Sequence, residues 1–562
     1  MILRELKLLT VFRGLPSGFT VTFRYNQVTG TSSSDGNPME PLCFVGLNGS
    51  GKSNVLEVLA EIFYYLETYF RGRRLGRGGL KRFKTPFGFD IKYSLPRLVV
   101  LSHLQDWPEL RDRLDKSQTD PLICISKVPN EYPEIKAVLN DEEILLQNKD
   151  NNREEGVLPT RVIGYSSGMN ELLSNPFIKI DFQYLAELNQ KTNNSADAKL
   201  DMNRLFFMSY DSNKYIVIAN FMFDKGDESS KLAGNDLSHI KREVKVSDIA
   251  RFSIQLQLEK NPSKDSNYLP SELNVALNKL IACATICEQN EIEAGKTKVR
   301  KTIKLDYWVN DATKDAFKDQ FKNSYELFRA LYFLQLLNSN LVDRNTRDLV
   351  INAKTGDIEN LSEELPRFEK DKLRFWVHNI KLRMPNRALV DYRKLSDGEH
   401  QLLQVFGSLV LMDSAGSLFL LDEPETHFNP EWRSKFVQLL KQSCVEDRQQ
   451  EVVLTTHSPF IVSDCKSANV LMFKKDPNTH SVSCNSPVDF NTFGASVNAI
   501  TMKVFGQTGS IGDYAADKLA DLRKTLDNHG DPDELIMQAN DLLGDSVEKI
   551  LFINQALDRK GI

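Results

Sequence analysis

An α/β fold is the class this sequence predicts, and three stretches predict it. Pro41-Leu42-Cys43-Phe44-Val45 is a short apolar strand that runs through a glycine-rich turn into a helical pattern from Asn54 to Tyr69. Ser417 to Pro424 (SLFLLDEP) is an apolar strand ending in two acids. Glu451 to Phe460 (EVVLTTHSPF) repeats that form, a β-branched strand with polar residues at its C-terminal end. Buried strands alternating with helices make an α/β chain.

The elements follow in order. Ile2 to Val11 and Phe19 to Phe23 read as strands, separated by the turn Leu15-Pro16-Ser17-Gly18. Thr29 to Pro38 (TGTSSSDGNP) is a loop. Residues 71–84 (RGRRLGRGGLKRFK) hold seven basic residues, four glycines and no acid. This stretch reads either as a loop gripping nucleic-acid phosphates through Arg71, Arg73, Arg74, Arg77, Lys81, Arg82 and Lys84, or as a solvated loop. Phe87 to Leu95 and Leu158 to Tyr165 are further strands, and Thr313 to Asn340 is strongly helical. Residues 493–506 are expected as one helix, and 512–559 as two amphipathic helices broken at Asn528-His529-Gly530-Asp531-Pro532, forming a partner platform or a terminal cap. No sustained heptads and no solenoid repeat occur.

Composition narrows the function classes. In 562 residues, 71 Lys and Arg against 76 Asp and Glu leave a net charge of −5, so the chain as a whole is no polycation. Seven cysteines are scattered without a C-x-x-C pair, which predicts a reducing, cytoplasmic setting. Cys283 and Cys287 are expected on neighbouring turns of a buried helix. No apolar run is long enough for a signal peptide or a membrane span.

Four stretches carry chemistry. Gly46-Leu47-Asn48-Gly49-Ser50-Gly51-Lys52-Ser53 fits G-x-x-x-x-G-K-[ST] between a strand and a helix. Its backbone amides would close around phosphates, Lys52 would reach the β/γ-phosphates, and Ser53 would ligate Mg²⁺, with Asn54 opening the helix. Asp422 would support the metal, and Glu423 would polarise the attacking water. His457 would hydrogen-bond a γ-phosphate oxygen. Ser396, Gly398 and Glu399, in Leu395-Ser396-Asp397-Gly398-Glu399-His400-Gln401, would present a hydroxyl and open backbone to a phosphate, although an ordinary helix cap has the same composition.

Together these resemble the ABC-type ATPases: Walker A at 46–53, an LSGGQ-like element at 395–399, Walker B at 418–423 and a switch histidine at 457. The resemblance implies an ABC-type head built from the N- and C-terminal thirds, with a large mixed α/β insertion and a helical C-terminal tail. Its expected units are lobe I at 1–170, an insertion at 171–384, lobe II at 385–475 and a partner or oligomer region at 476–562. It also implies ATP and Mg²⁺ as cofactors, and a homodimer or higher homo-oligomer in which Ser396 acts across the dimer.

The 344 positions between Lys52 and Ser396 match the plan of the SMC, RecF and overcoming-lysogenization-defect-like ATPases. The strings LLDEPETHFNP and TTHSPF are similar to the last group, but no TOPRIM or H-N-H nuclease pattern is visible. With Leu158-Pro159, Tyr165-Ser166-Ser167-Gly168 and LSDGEHQLL, the chain resembles the Septu antiphage ATPases (PtuA), including their retron-associated form. That implies control of a separate HNH nuclease (PtuB-like) and, in the retron form, a reverse transcriptase and its msDNA. The alternative is a RecF/SMC-like repair ATPase acting directly on DNA. One departure is plain: the turn Tyr165-Ser166-Ser167-Gly168 lacks the Q-loop glutamine of ABC enzymes, which implies slow turnover or a nucleotide clamp.

Overall fold

The computed structural model describes all residues except 25–39, 75–84, 104–107, 118, 147–153, 169–170, 192–203, 227–234, 261–268, 294–298, 353–360, 362, 445–447, 486–487, 508, 510 and 560–562. The fold is α/β, with three sheets, helices packed against them and a helical C-terminal region. At its centre is a seven-stranded sheet in the order Val482–Asn485, Val470–Lys475, Leu42–Val45, Glu451–Thr455, Leu418–Asp422, Val162–Ser166, Leu205–Phe207. Only the first of these runs antiparallel to its neighbour.

Both faces of this sheet are covered, which explains its unbroken apolar strands. Leu42, Phe44, Leu418, Leu420 and Val453 face the helix Lys52–Arg74 and a six-stranded antiparallel sheet that includes Ile2–Leu8 and Phe89–Ser94. Cys43, Val45, Phe419, Leu421, Val452 and Leu454 point the other way, into a core shared with the helices Tyr210–Met222, Ser324–Gln335 and Asp397–Leu411. A five-stranded antiparallel sheet, with Asp248–Lys260 at its middle, is the third sheet. Among the described residues of the insertion the longest helix is Asn175–Lys191, of 17 residues, so no long coiled coil fills it. No helix of the described residues is long and apolar enough to cross a membrane.

The sequence expectations need four corrections. The helix begun at Lys52 runs to Arg74, so residues 71–74 of the basic stretch are helical rather than looped. Buried Tyr69 and Phe70 anchor its last turns against a single tolerated glycine. Arg77, Lys81, Arg82 and Lys84 lie outside the described residues. The tail holds three helices, Asp513–Asp527, Pro532–Leu542 and Val547–Arg559, because Ser546 Oγ accepts the Lys549 amide at 3.2 Å and starts a new one after Gly544. Cys283 ends the helix Ser271–Cys283, whereas Cys287 is exposed on the strand Ile286–Glu293, where β-branched Thr285 and Ile286 lead into pairing with Val299–Trp308. Finally, the strand expected from Leu158 begins only at Val162.

Candidate nucleotide site

The site forms along the C-terminal edge of the central sheet, where parallel strands of open α/β sheets present their ligand crevice. Register sets the row: Asp422 pairs with Thr455 on one side and Ser166 on the other, and Thr455 pairs with Phe44. The phosphate-loop residues follow two positions after Phe44. Gly46 has φ +144°, and a Cβ there would lie 2.3 Å from the Phe473 carbonyl oxygen, so no other residue fits. Leu47, Asn48 and Gly49 are exposed at the loop's crest, whereas Ser50, Gly51 and Lys52 are buried. Lys52 Nζ donates to the Gly46 and Leu47 carbonyls at 3.0 and 3.1 Å. Ser50 Oγ is buried without a protein partner among the described residues, the state expected of a hydroxyl reserved for a phosphate. Asn54 sits half-buried in the first helical turn, on the side of Gly14.

Three hydroxyls converge on Asp422. Ser53 Oγ donates to Oδ1 at 2.8 Å, Thr455 Oγ1 to the same oxygen at 2.6 Å, and Ser166 Oγ to Oδ2 at 3.5 Å. This all-oxygen donor set suits Mg²⁺, a hard cation. Thr455 Oγ1 also accepts the Glu423 amide at 3.0 Å, which holds Glu423 in a left-handed conformation at φ +47°. His457 Nε2 lies 3.6 Å from Glu423 Oε1. Burial, with a smaller contribution from Lys52, pulls the His457 pKa down to about 4, so the imidazole is neutral at physiological pH. Burial likewise lowers the Lys52 pKa, opposed by Glu423 and Asp422.

A second acid lies behind this row. Glu425 is buried, accepts from Thr456 Oγ1 through one oxygen and leaves the other without a partner among the described residues. Burial pushes its pKa up to about 7. Thr456 Oγ1 also accepts the Ser458 amide at 2.9 Å, so adjacent threonines tie both acids to the backbone flanking His457.

Ser396, Gly398 and Glu399 are not brought to the phosphate loop of their own chain by any of their hydrogen bonds. Ser396 caps the helix Asp397–Leu411 in a capping box, accepting the Glu399 amide at 3.3 Å while Glu399 Oε2 accepts the Ser396 amide at 2.7 Å. A Cβ on Gly398 would approach the His427 carbonyl oxygen to 2.8 Å. One turn on, Gln401 donates to Tyr165 OH at 3.0 Å and accepts the His427 amide at 2.9 Å. This single side chain ties the signature helix to the Ser166 strand and to the turn after Glu423. Sequence reasoning missed Thr455, Ser166, Glu425 and Gln401. All four lie inside motifs already singled out, but only the tertiary register shows what they touch.

Residues 296–463 match a family described as "AAA domain, putative AbiEii toxin, Type IV TA system"; the match takes in the signature element, Asp422, Glu423 and His457, but not the phosphate loop. Protein ea59 of Escherichia phage lambda is 29% identical over 112 residues, 20% of this chain and 21% of that protein. The chain thus spans about a fifth of the length of this curated relative. The SMC head domain from Thermotoga maritima superposes with a TM-score of 0.29 at 11% identity, covering 87% of this chain and 100% of that one.

Proposed function

We propose that the protein binds and hydrolyses ATP with Mg²⁺. The observation that carries this reading is the convergence of Lys52, Ser53, Asp422, Glu423 and His457 on one sheet edge, with Ser53 and Asp422 in direct contact. Lys52 and the loop amides, with Ser50 Oγ, hold the phosphates. Mg²⁺, when bound, neutralises charge on the phosphate oxygens. Ser53 and Asp422 would hold it, and Ser166, on the turn that lacks a glutamine, would place a hydroxyl beside Asp422. Glu423 orients and deprotonates the attacking water, and neutral His457 donates to a γ-phosphate oxygen.

Ser396 and Gly398 serve the site of a second copy, so hydrolysis belongs to a homodimer or larger homo-oligomer. In the cell the ATPase controls a separate HNH nuclease in antiphage defence, as the Septu-like strings imply. Purified protein should turn over ATP, Lys52→Ala should lose nucleotide binding, and Glu423→Gln should bind ATP without turnover. Gentle capture of tagged protein from its host, with mass spectrometry and nucleic-acid extraction, should recover a small HNH protein, joined in the retron form by a reverse transcriptase and msDNA. Recovery of the ATPase alone, with turnover stimulated by plain DNA, would replace this with the repair reading.

A further inference from the structure

The helix Val497–Phe505 lies beyond all four motifs, yet it reaches the nucleotide site. Its buried Ile500 and Val504 belong to the main core. Its other face, one turn apart at Thr501 and Phe505, lines a cavity of about 570 Å³ together with Leu47, Asn48, His457 and Pro459. The Phe505 ring lies 5.8 Å from the His457 imidazole, centroid to centroid, at an angle of 37°. That is within the range of a favourable aromatic contact.

The helix is fastened to the segment that follows His457. Ser463 Oγ donates to the Ala495 carbonyl at 2.8 Å, the Gly494 amide to the Ser463 carbonyl at 2.8 Å, and buried Thr492 Oγ1 to the Cys465 carbonyl at 2.6 Å. The histidine and the ring against it therefore sit on one braced unit. Gly506, left-handed at φ +68°, then ends the helix, and the three tail helices beyond it pack around a separate small core of Leu519, Leu522, Leu526, Leu535, Ala539, Phe552 and Ala556.

We propose that Phe505 is a positioning residue for His457, and that its helix is the outer wall of the nucleotide site. This rests on the reading of His457 as a γ-phosphate partner. His457 is one-third exposed, and its one acidic neighbour, Glu423, is 3.6 Å away. The aromatic ring removes rotamers that would swing the imidazole into solvent.

The test uses the full chain with Phe505→Leu, which keeps most of the apolar volume, and Phe505→Tyr, which restores the ring. Two readouts are taken: steady-state turnover and the ¹³C–¹H signal of Cε1-labelled His457 in nucleotide-free protein (assigned with His457→Gln). Loss of the ring should cut kcat by about 10-fold or more with little change in KM, since misplacing a reacting group by ~1 Å costs up to ~100-fold. It should also shift the His457 signal, and the tyrosine variant should restore both. An unchanged His457 signal and kcat in Phe505→Leu would overturn the proposal, as would equal loss in the leucine and tyrosine variants. If the wild type binds no ATP, the functional reading fails first, and an unmoved His457 signal would separately refute the positioning contact.

Discussion

Ser53 Oγ donates to Asp422 Oδ1 at 2.8 Å across 369 positions of sequence. The contact joins the first helical residues after the phosphate loop to the end of the Leu418–Asp422 strand. The two residues proposed to hold Mg²⁺ therefore touch in the protein alone. Asp422→Asn should lower Mn²⁺ affinity of the nucleotide complex, read by electron paramagnetic resonance, by at least ~10-fold, as expected for losing a charged ligand oxygen. Binding of metal-free ATP should change much less.

Lys52→Ala and Glu423→Gln separate binding from chemistry. The first removes charge-assisted hydrogen bonds to phosphate and should weaken ATP binding by roughly 10–100-fold in calorimetry. The second should leave binding intact, slow turnover by roughly 100–10,000-fold and stabilise the ATP-bound oligomer in light scattering. Wild-type turnover in Glu423→Gln would exclude Glu423 as the base.

Ser166 Oγ donates to Asp422 Oδ2 at 3.5 Å. Ser166→Ala should raise the Mg²⁺ concentration needed for half-maximal turnover by about 10-fold, the usual scale for a group supporting a metal site. Ser166→Cys should favour Mn²⁺ over Mg²⁺, because a thiol is the softer donor. No change in metal dependence for either variant would leave Ser166 a backbone spacer.

Mixing variants tests completion of the site in trans. Lys52→Ala and Ser396→Arg should each be inactive alone. Mixed and re-equilibrated, they should regain activity, because the heterodimer contains one site with neither substitution. Failure to complement would assign Ser396 to its own helix cap alone, a role already visible in its 3.3 Å bond from the Glu399 amide.

Glu425 predicts a pH dependence of stability. Its folded pKa is pushed up to about 7 by burial, against 4.5 for an ordinary glutamate. The folded state therefore holds a proton that the unfolded chain releases, so stability is greatest below about 4.5 and declines as pH rises to about 7. Glu425→Gln keeps an oxygen for Thr456 and has no proton to lose. Relative to wild type it should melt higher at pH 8 than at pH 5, by a few °C if ~1–2 kcal/mol is recovered in a chain of this size. The comparison cancels His457, whose lowered pKa acts in the opposite direction between 6.5 and about 4.

The sheet and most of the site were legible because local rules and tertiary structure agree there. A fully buried strand such as Leu418–Asp422 must be apolar throughout, and its first polar residue must mark the edge where the ligand crevice opens. The phosphate loop is legible because Gly46 has no steric alternative. Ser166 and Thr455 were not singled out because a serine or threonine at a strand end is common, and only register places both beside Asp422. Phe505 carries no local signal at all: its spacing from Thr501 reads as an ordinary helix face, and its neighbour His457 lies 48 positions earlier. The third tail helix was missed because Leu543-Gly544-Asp545-Ser546 is a weaker break than the one at Gly530-Asp531-Pro532.

The strand order also dictates when the protein can become itself during translation. Leu42–Val45 is flanked by Glu451–Thr455 and Val470–Lys475, neither of which exists until some 400 further residues have been made. At ~5–20 residues per second, the phosphate-loop strand waits roughly 20–80 s with both hydrogen-bonding edges unpaired. A nascent chain therefore carries Lys52 long before it carries Asp422 and Glu423. The same delay makes an exposed Leu42-Cys43-Phe44-Val45 edge the place where a chaperone, or a second nascent chain, would most readily attach.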